Sequence, residues 1–385
     1  MILERQHRVY ASFAIYAFAM GNIFPRLPDI KEAMQIQEGA LGLALIGTPV
    51  GTLISLTLAG AIFSRIGHRL GIFIFIPIIA MAFAIAVHAT GPLALFLLLI
   101  PVGLAIGGAE VIVNLEADRT EAVIGRRIMN RSHAFWSIGF FAAGLFGAAM
   151  AQLGVSPQLH LFIVVPIVLV ALWVFLKDFD PAPRRTTESA DKAPLVAKPT
   201  LGILGLVGVT LSAMLLEGAS IDWSAIYMQS VFMTSPFLAG FAVATAAFAQ
   251  AIGRYFADHF VERYAPDRVA RVLCGAMAVG VITVFLSPNP AVSLIGFAFI
   301  GLGTSAIFPL AMSAAAQRTD RSAATNVAAL AQFAFVIFLL APPLLGFIAE
   351  HAGLRWTFGV GLPLVLISLA LSGHLGKRPL LAAQP

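Results

Sequence analysis

Apolar residues along this chain come in blocks about twenty long, separated by short polar punctuation, rather than at the periods of a half-buried helix or strand. A helix crossing the hydrocarbon core of a bilayer needs roughly 20 apolar residues. The blocks predict twelve spanning helices, over residues 9–27, 40–63, 70–90, 92–115, 130–152, 159–176, 200–221, 236–256, 268–287, 291–314, 323–349 and 355–375. Between the sixth and seventh lies the one long polar stretch, 177–199, rich in proline, alanine and charge. It reads as a flexible linker joining an amino-terminal six-helix bundle, 1–176, to a carboxy-terminal one, 200–385.

Composition agrees with that pattern. The 385 residues are 59% hydrophobic and 11% charged, against roughly 25% charged in a soluble domain. A water-soluble fold would have to expose more apolar surface than solubility permits. The expected class is therefore an all-α integral membrane protein. A single cysteine, Cys274, excludes an internal disulfide and argues against a thiolate metal site. Arg5 and Arg8 precede an apolar run as in a signal peptide, but Pro25-Arg26-Leu27-Pro28-Asp29 follows instead of a small-residue cleavage site. An uncleaved first span is expected.

The net charge of +5 does not gather into a groove-binding patch, so nucleic acid is not an expected partner. It follows topology instead. With both termini cytoplasmic, only Arg26, Lys31 and Arg355 of the 24 lysines and arginines fall in outer segments. A multi-pass protein of a bacterial inner membrane fits that bias.

Charge inside a span is the next signal. Glu110 lies in a block, 92–115, that carries no other charge, and Asn114 follows four residues later on the same helix face. Gly103 and Gly107 continue that stripe, which can lie against a neighbouring helix or line a cavity. An ionisable group at such depth marks an ion or substrate path. Read that way, Glu110 is a proton-titrating carboxylate beside an amide that binds hydroxyls. The alternative is a glutamate near the cytoplasmic end paired with a loop arginine such as Arg126. Glu217, about four turns into the seventh span, is either a second cavity acid or a structural acid near the outer gate. Asp222 and Trp223 lie closer to the outer surface, where Trp223 reads as a membrane-belt anchor.

Proteins grip sugar rings with aromatic faces beside directional polar groups. Tyr16, Trp136 and Tyr227 are the aromatic candidates, with Asn22, His133, Gln250, Asn326 and Gln332 as polar companions. His133 reads as a structural histidine and Gln332 as the leading amide of the second half. The mixed charges from Glu116 to Arg131 read as a cytoplasmic loop. Pro309 and Pro342-Pro343 are expected to interrupt helical hydrogen bonds and permit bending. Gly301-Leu302-Gly303 can ease a close helix contact.

Two charged turns repeat across the halves: Gly60-Ala-Ile-Phe-Ser64-Arg65-Ile-Gly67-His68-Arg69 and Gly253-Arg254-Tyr-Phe-Ala-Asp258-His-Phe-Val-Glu262-Arg263. With twelve spans and a central linker, they resemble the loop signature of the major facilitator superfamily, although Ser64 stands in the first copy where the signature has an acid. The resemblance implies two pseudo-symmetric six-helix bundles that rock about a midplane site. It also implies gating pairs among Arg65, Arg69, Asp258 and Arg263 across the cytoplasmic ends.

Gly107-Gly-Ala-Glu110-Val-Ile-Val-Asn114 resembles the fourth helix of the fucose–proton symporter group. Residues 125–139 and 217–227 resemble a smaller bacterial subfamily, the MosC-like and YbjJ proteins. The fucose group has an acid in its first helix where this chain has Asn22. Glu217, near the pseudo-symmetric counterpart of that helix, is the expected second acid. Drug-antiporter signatures are missing, since Leu99 replaces their arginine and 139–151 lacks their glycine-proline pair.

The resemblance implies a secondary transporter of a sugar, polyol or inositol-amine-like solute, working by proton symport. A proton-coupled exporter of a metabolite or drug-like amine is the alternative. Expected partners are a small-molecule substrate, protons and the lipid bilayer, with the chain a monomer. The sequence carries no nucleotide loop, metal cluster or nucleophile–base pair, so neither an enzyme nor a cofactor is expected.

Overall fold

The computed structural model describes the backbone over residues 4–183 and 197–376, with all side chains there except those of 57–66, 258 and 324. The first half contains α1 (Arg5–Gly21), α2 (Leu27–Met34), α3 (Glu38–Leu45), α4 (Gly47–Ile66), α5 (His68–Ala86), α6 (Pro92–Ile124), α7 (Met129–Gln152) and α8 (Pro157–Leu176). The second contains α9 (Leu201–Asp222), α10 (Ser224–Phe232), α11 (Pro236–Arg263), α12 (Pro266–Leu286), α13 (Pro290–Thr304), α14 (Ile307–Ala316), α15 (Ala323–Ala352), α16 (Leu354–Gly359) and α17 (Gly361–Leu371). Among the described residues, eleven stretches are long and apolar enough to cross a membrane. The twelfth span is α1, continued by the 3-10 turn Phe24–Arg26.

Local chemistry sets the helix starts. Proline occupies the first helical position of α6, α8, α11, α12 and α13, where its missing N–H costs nothing. Ser156, Ser235, Asn289 and Ser322 each accept a hydrogen bond from the backbone N–H three residues on. Gly125, at φ 69°, ends α6 in the left-handed region that glycine tolerates. The Glu121 carboxylate then accepts from the N–H groups of Ile128 and Met129 at 2.5 and 2.7 Å, capping α7 from the end of α6. That cap fixes how α6 and α7 meet.

Several spans are discontinuous. α3 gives way to α4 at Ile46, α9 to α10 at Trp223, and α13 to α14 at Ser305 and Ala306, just before Pro309. α15, in contrast, runs unbroken through Pro342-Pro343. Such breaks leave backbone groups free for side chains within the bundle.

Two boundaries differ from the sequence reading in a way that matters. α6 continues to Ile124, so Glu116, Asp118, Arg119 and Glu121 are helical rather than part of a loop. Glu116 is fully buried, with His68 Nδ1 at 2.8 Å and the Ala182 N–H donating at 2.6 Å. α11 continues to Arg263, which places Arg254 well inside a helix.

Helices approach closely where glycine permits. A Cβ at Gly103 would collide with the Thr48 carbonyl of α4, one at Gly139 with the Ala14 carbonyl of α1, and one at Gly301 with the Ala246 carbonyl of α11. The Gly103 and Gly107 stripe therefore seats α6 on α4. The halves meet at the end of the bundle remote from the linker. There Gly42 lies on the Pro342 carbonyl, Gly39 N–H donates to Glu350 at 3.0 Å, and Phe237 N–H donates to Gln152 at 3.2 Å.

At the linker end, Asp320 ties the start of α9 to the start of α15. It accepts from Arg318 and Thr200 at 3.1 Å each and from Asn326 at 2.9 Å. Those donors, Arg318 and then Asn326 foremost, hold its pKa down from 3.8 to about 2. A carboxylate whose folded pKa is depressed stabilises the fold above its unfolded pKa and loses that contribution as pH falls through the folded one. Asp320→Asn is therefore expected to lower the melting temperature at neutral pH. The gap to the wild type should narrow as pH falls from 3.8 towards 2. A gap that stays constant across that window would show that Asp320 acts through shape alone.

Candidate functional site

The site is built from helix faces. On α6, Asn114 Nδ2 donates to Glu110 Oε1 at 2.9 Å and to the Glu110 carbonyl at 2.8 Å. On α7, His133, Trp136 and Ser137 share one face at helical spacing. His133 Nε2 lies 3.2 Å from Asn114 Oδ1. Because Asn114 donates to Glu110 through its amide nitrogen, its oxygen is free to accept from that ring nitrogen. From α1, the Tyr16 hydroxyl lies against the Glu110 carboxylate and Phe13 meets the His133 ring edge-on. The first half thus supplies a continuous chain: Tyr16, Glu110, Asn114, His133.

The second half answers with Arg254. Its Nη2 donates to Glu217 Oε1 at 3.1 Å, its Nη1 to Ser137 Oγ at 2.9 Å and its Nε to the Ser305 carbonyl at 3.2 Å. That carbonyl is available because the span breaks between α13 and α14. The guanidinium also lies 5.7 Å from the centroid of Trp136. Gln250, one turn earlier on α11, donates to Thr304 at 3.3 Å and accepts from Ser137 at 3.5 Å. Arg254 therefore links an acid of α9 to the polar face of α7 across the two halves.

Glu110, Asn114, His133, Trp136, Glu217 and Arg254 all retain some accessible surface, although they lie deep among the helices. They lie where α6 and α7 of the first half face α9 and α11 of the second. Two carboxylates and one guanidinium, held by neutral donors and acceptors, can exchange a proton at Glu110 and bind hydroxyls at Asn114 and His133, while Gln250 is buried and engaged with Thr304 and Ser137. No group of three or more histidine, cysteine or acidic side chains able to hold a metal occurs among the described residues.

Other sequence candidates lie elsewhere. Asn22 is fully buried, donating to the Phe18 carbonyl at 2.7 Å with His160 Nε2 at 3.1 Å, so its amide is occupied within the first half. Tyr227 donates to the Val284 carbonyl at 2.7 Å and is ringed by Phe232, Phe297 and Phe358, a core position rather than a wall of the site. Trp223, expected at the membrane interface, is fully buried. Asp222 ends α9 next to Ile221, which packs on a cluster between the halves. Gln332 accepts from the Ala197 N–H at 3.0 Å and holds the tail of the linker. Asn326 belongs to the Asp320 group. Arg126 bonds Gln6, not Glu110.

The expected gating pairs turn on the Asp258 carboxylate, which lies outside the described residues. Arg69 donates to the Lys177 carbonyl at 2.6 Å, and Arg263 lies 5.8 Å from the Tyr264 ring. The Arg65 side chain lies outside the described residues as well.

A family model for the Major Facilitator Superfamily matches residues 9–337 and, again, 205–380. The chain belongs to the major facilitator superfamily. An uncharacterised MFS-type transporter of Yersinia pestis is 25% identical over 378 residues, covering 98% of this chain and 97% of the relative. Membrane protein MosC of Rhizobium meliloti is 23% identical over 357 residues, covering 92% and 86%. The kinship with MosC-like proteins read from residues 125–139 and 217–227 is thus borne out.

Among solved structures, a bacterial homologue of the human lysosomal transporter Spinster, inward-facing and occupied, matches with a TM-score of 0.73 at 16% identity over 95% of each chain. The E. coli fucose–proton symporter matches with a TM-score of 0.63 at 15% identity, covering 97% of this chain and 98% of the other. These likenesses establish the superfamily fold. The site residue that sequence reading missed is Arg254, counted there as a loop charge. Its spacing of four from Gln250 on one apolar helix was the available signal.

Proposed function

We propose that this superfamily member is a proton-coupled symporter of a small polar solute, a sugar, polyol or inositol-amine-like molecule. The observation that carries the proposal is Glu110, held by Asn114 and Tyr16 in the first half, which the Arg254–Glu217 pair of the second half meets through Ser137. A carboxylate that exchanges a proton needs access to water, and Glu110 keeps some accessible surface on the side of the first half that meets Arg254. Asn114 and His133, which keep some accessible surface, offer directional bonds to hydroxyls, with Trp136 as an aromatic wall. Asp222 stands further along the same second-half helix as a secondary contact.

In this reading the linker end faces the cytoplasm of a bacterial inner membrane, and both termini lie there. The closed remote end makes the conformation inward-facing. The bundles 1–176 and 200–385 rock about the site while 177–199 tethers them, and one chain suffices as a monomer. The work is transport rather than catalysis. Counterflow exchange in proteoliposomes, run over a panel of sugars, polyols, inositol amines and amino acids, tests the solute class. Saturable exchange of a polyhydroxylated solute is the expected result, whereas exchange confined to apolar amines would overturn it in favour of an exporter.

A further inference from the structure

Away from that site, a cavity of about 400 Å³ opens at the linker end between α5 and α8. Its polar wall is Arg69 and Lys177, with His68 behind them. Its apolar wall is Leu70, Phe73 and Trp173. Leu70 is 54% and Trp173 66% exposed, and next to them Val170 and Val174 of α8 are 61% and 57% exposed. In a spanning bundle that apolar surface faces acyl chains. The cavity therefore sits where a membrane changes from hydrocarbon to headgroup, with a tryptophan at the level such side chains favour.

Charge decides what fits. Arg69 is fixed across the mouth by its 2.6 Å bond to the Lys177 carbonyl, which also occupies the last carbonyl of α8 and so offsets the negative helix end there. The guanidinium keeps further donors for an anion. Two nearby acids are already engaged: Glu116 is buried against His68 with Arg119 beside it, and Asp180 pairs with Arg5 at 3.2 Å, while Asp178, next to Lys177, is exposed. Two cations, a wall of exposed apolar side chains and a bilayer on the open side match one kind of ligand. We infer that this cavity binds the phosphate-bearing headgroup of an anionic phospholipid, with Arg69 and Lys177 on the phosphate and Trp173 along the glycerol and upper acyl chain.

Native mass spectrometry of the full chain, released from micelles containing phosphatidylglycerol, tests this. The Lys177→Gln variant leaves the backbone carbonyl that Arg69 uses intact, so folding is preserved. Loss of one basic contact near a membrane surface should weaken retention of one phosphatidylglycerol about fivefold. Arg69→Gln with Lys177→Gln should remove that adduct altogether. Zwitterionic phosphatidylcholine at the same mole fraction should not be retained, and inorganic phosphate in excess should not displace the lipid. Equal retention by wild type and double variant, or retention of phosphatidylcholine as strong as that of phosphatidylglycerol, would overturn the inference. Displacement by inorganic phosphate alone would equally overturn it by showing a free-phosphate site.

Discussion

Arg254→Met will abolish transport and destabilise the fold, whereas Arg254→Met combined with Glu217→Gln will recover stability without recovering transport. Both side chains are largely buried, at 14% and 16% exposed. Removing one partner of a buried ion pair leaves an uncompensated charge and costs about 3–5 kcal/mol. That exposure admits some solvent, so the lower part of that range is expected. Methionine matches the volume and flexibility of the arginine stem, which isolates loss of charge from loss of packing.

In the double variant, the neutral amide that replaces the Glu217 carboxylate can still bond its surroundings and no charge is stranded, so the melting temperature should return most of the way. Transport should not return, because the link from Glu217 through Arg254 to Ser137 and the face of Trp136 is gone. Thermal unfolding in detergent and counterflow in proteoliposomes read the two effects separately. A single variant with wild-type melting temperature would sink the ion-pair argument. A transporting double variant would show that Arg254 serves only as a strut.

The spans were legible because burial in lipid demands length and apolarity, both written in a single stretch of chain. Helix ends were not, because a helix continues past the hydrocarbon wherever its charges find partners. α6 does so with Glu116 against His68 and Ala182, and Glu121 against the start of α7. The same continuation hid Arg254. It stands nine residues before the end of α11, roughly 13 Å along the helix axis, although charge counting assigns every base near a span edge to a loop.

Glu110 with Asn114 was legible because their bond is local, one helical turn long. Asn22 and Tyr227 were misplaced because their partners, His160 and Val284, are 138 and 57 residues away, and composition does not reveal which amide or phenol is already engaged. The small-residue stripe of α6 announced a close approach but not its target, which proved to be α4.

The second large effect concerns Glu110 itself. Glu110→Gln keeps an acceptor for Asn114 Nδ2 and the side-chain length, so the geometry of the site should persist while titration is lost. Gradient-driven accumulation and exchange should then part company. One unit of pH difference is worth about 1.36 kcal/mol per proton moved, so a one-proton symporter should concentrate its solute about tenfold for each unit. The variant should equilibrate the solute and stop at equal concentrations inside and out. Counterflow needs no net proton movement and should continue near the wild-type rate. Glu110→Asp, which keeps the charge on a shorter stem, should retain coupling at a reduced rate. If Glu110→Gln still accumulates solute tenfold per unit while Glu217→Gln does not, the proton is carried on α9. Arg254 would then be its direct sensor, since it already bonds that carboxylate at 3.1 Å.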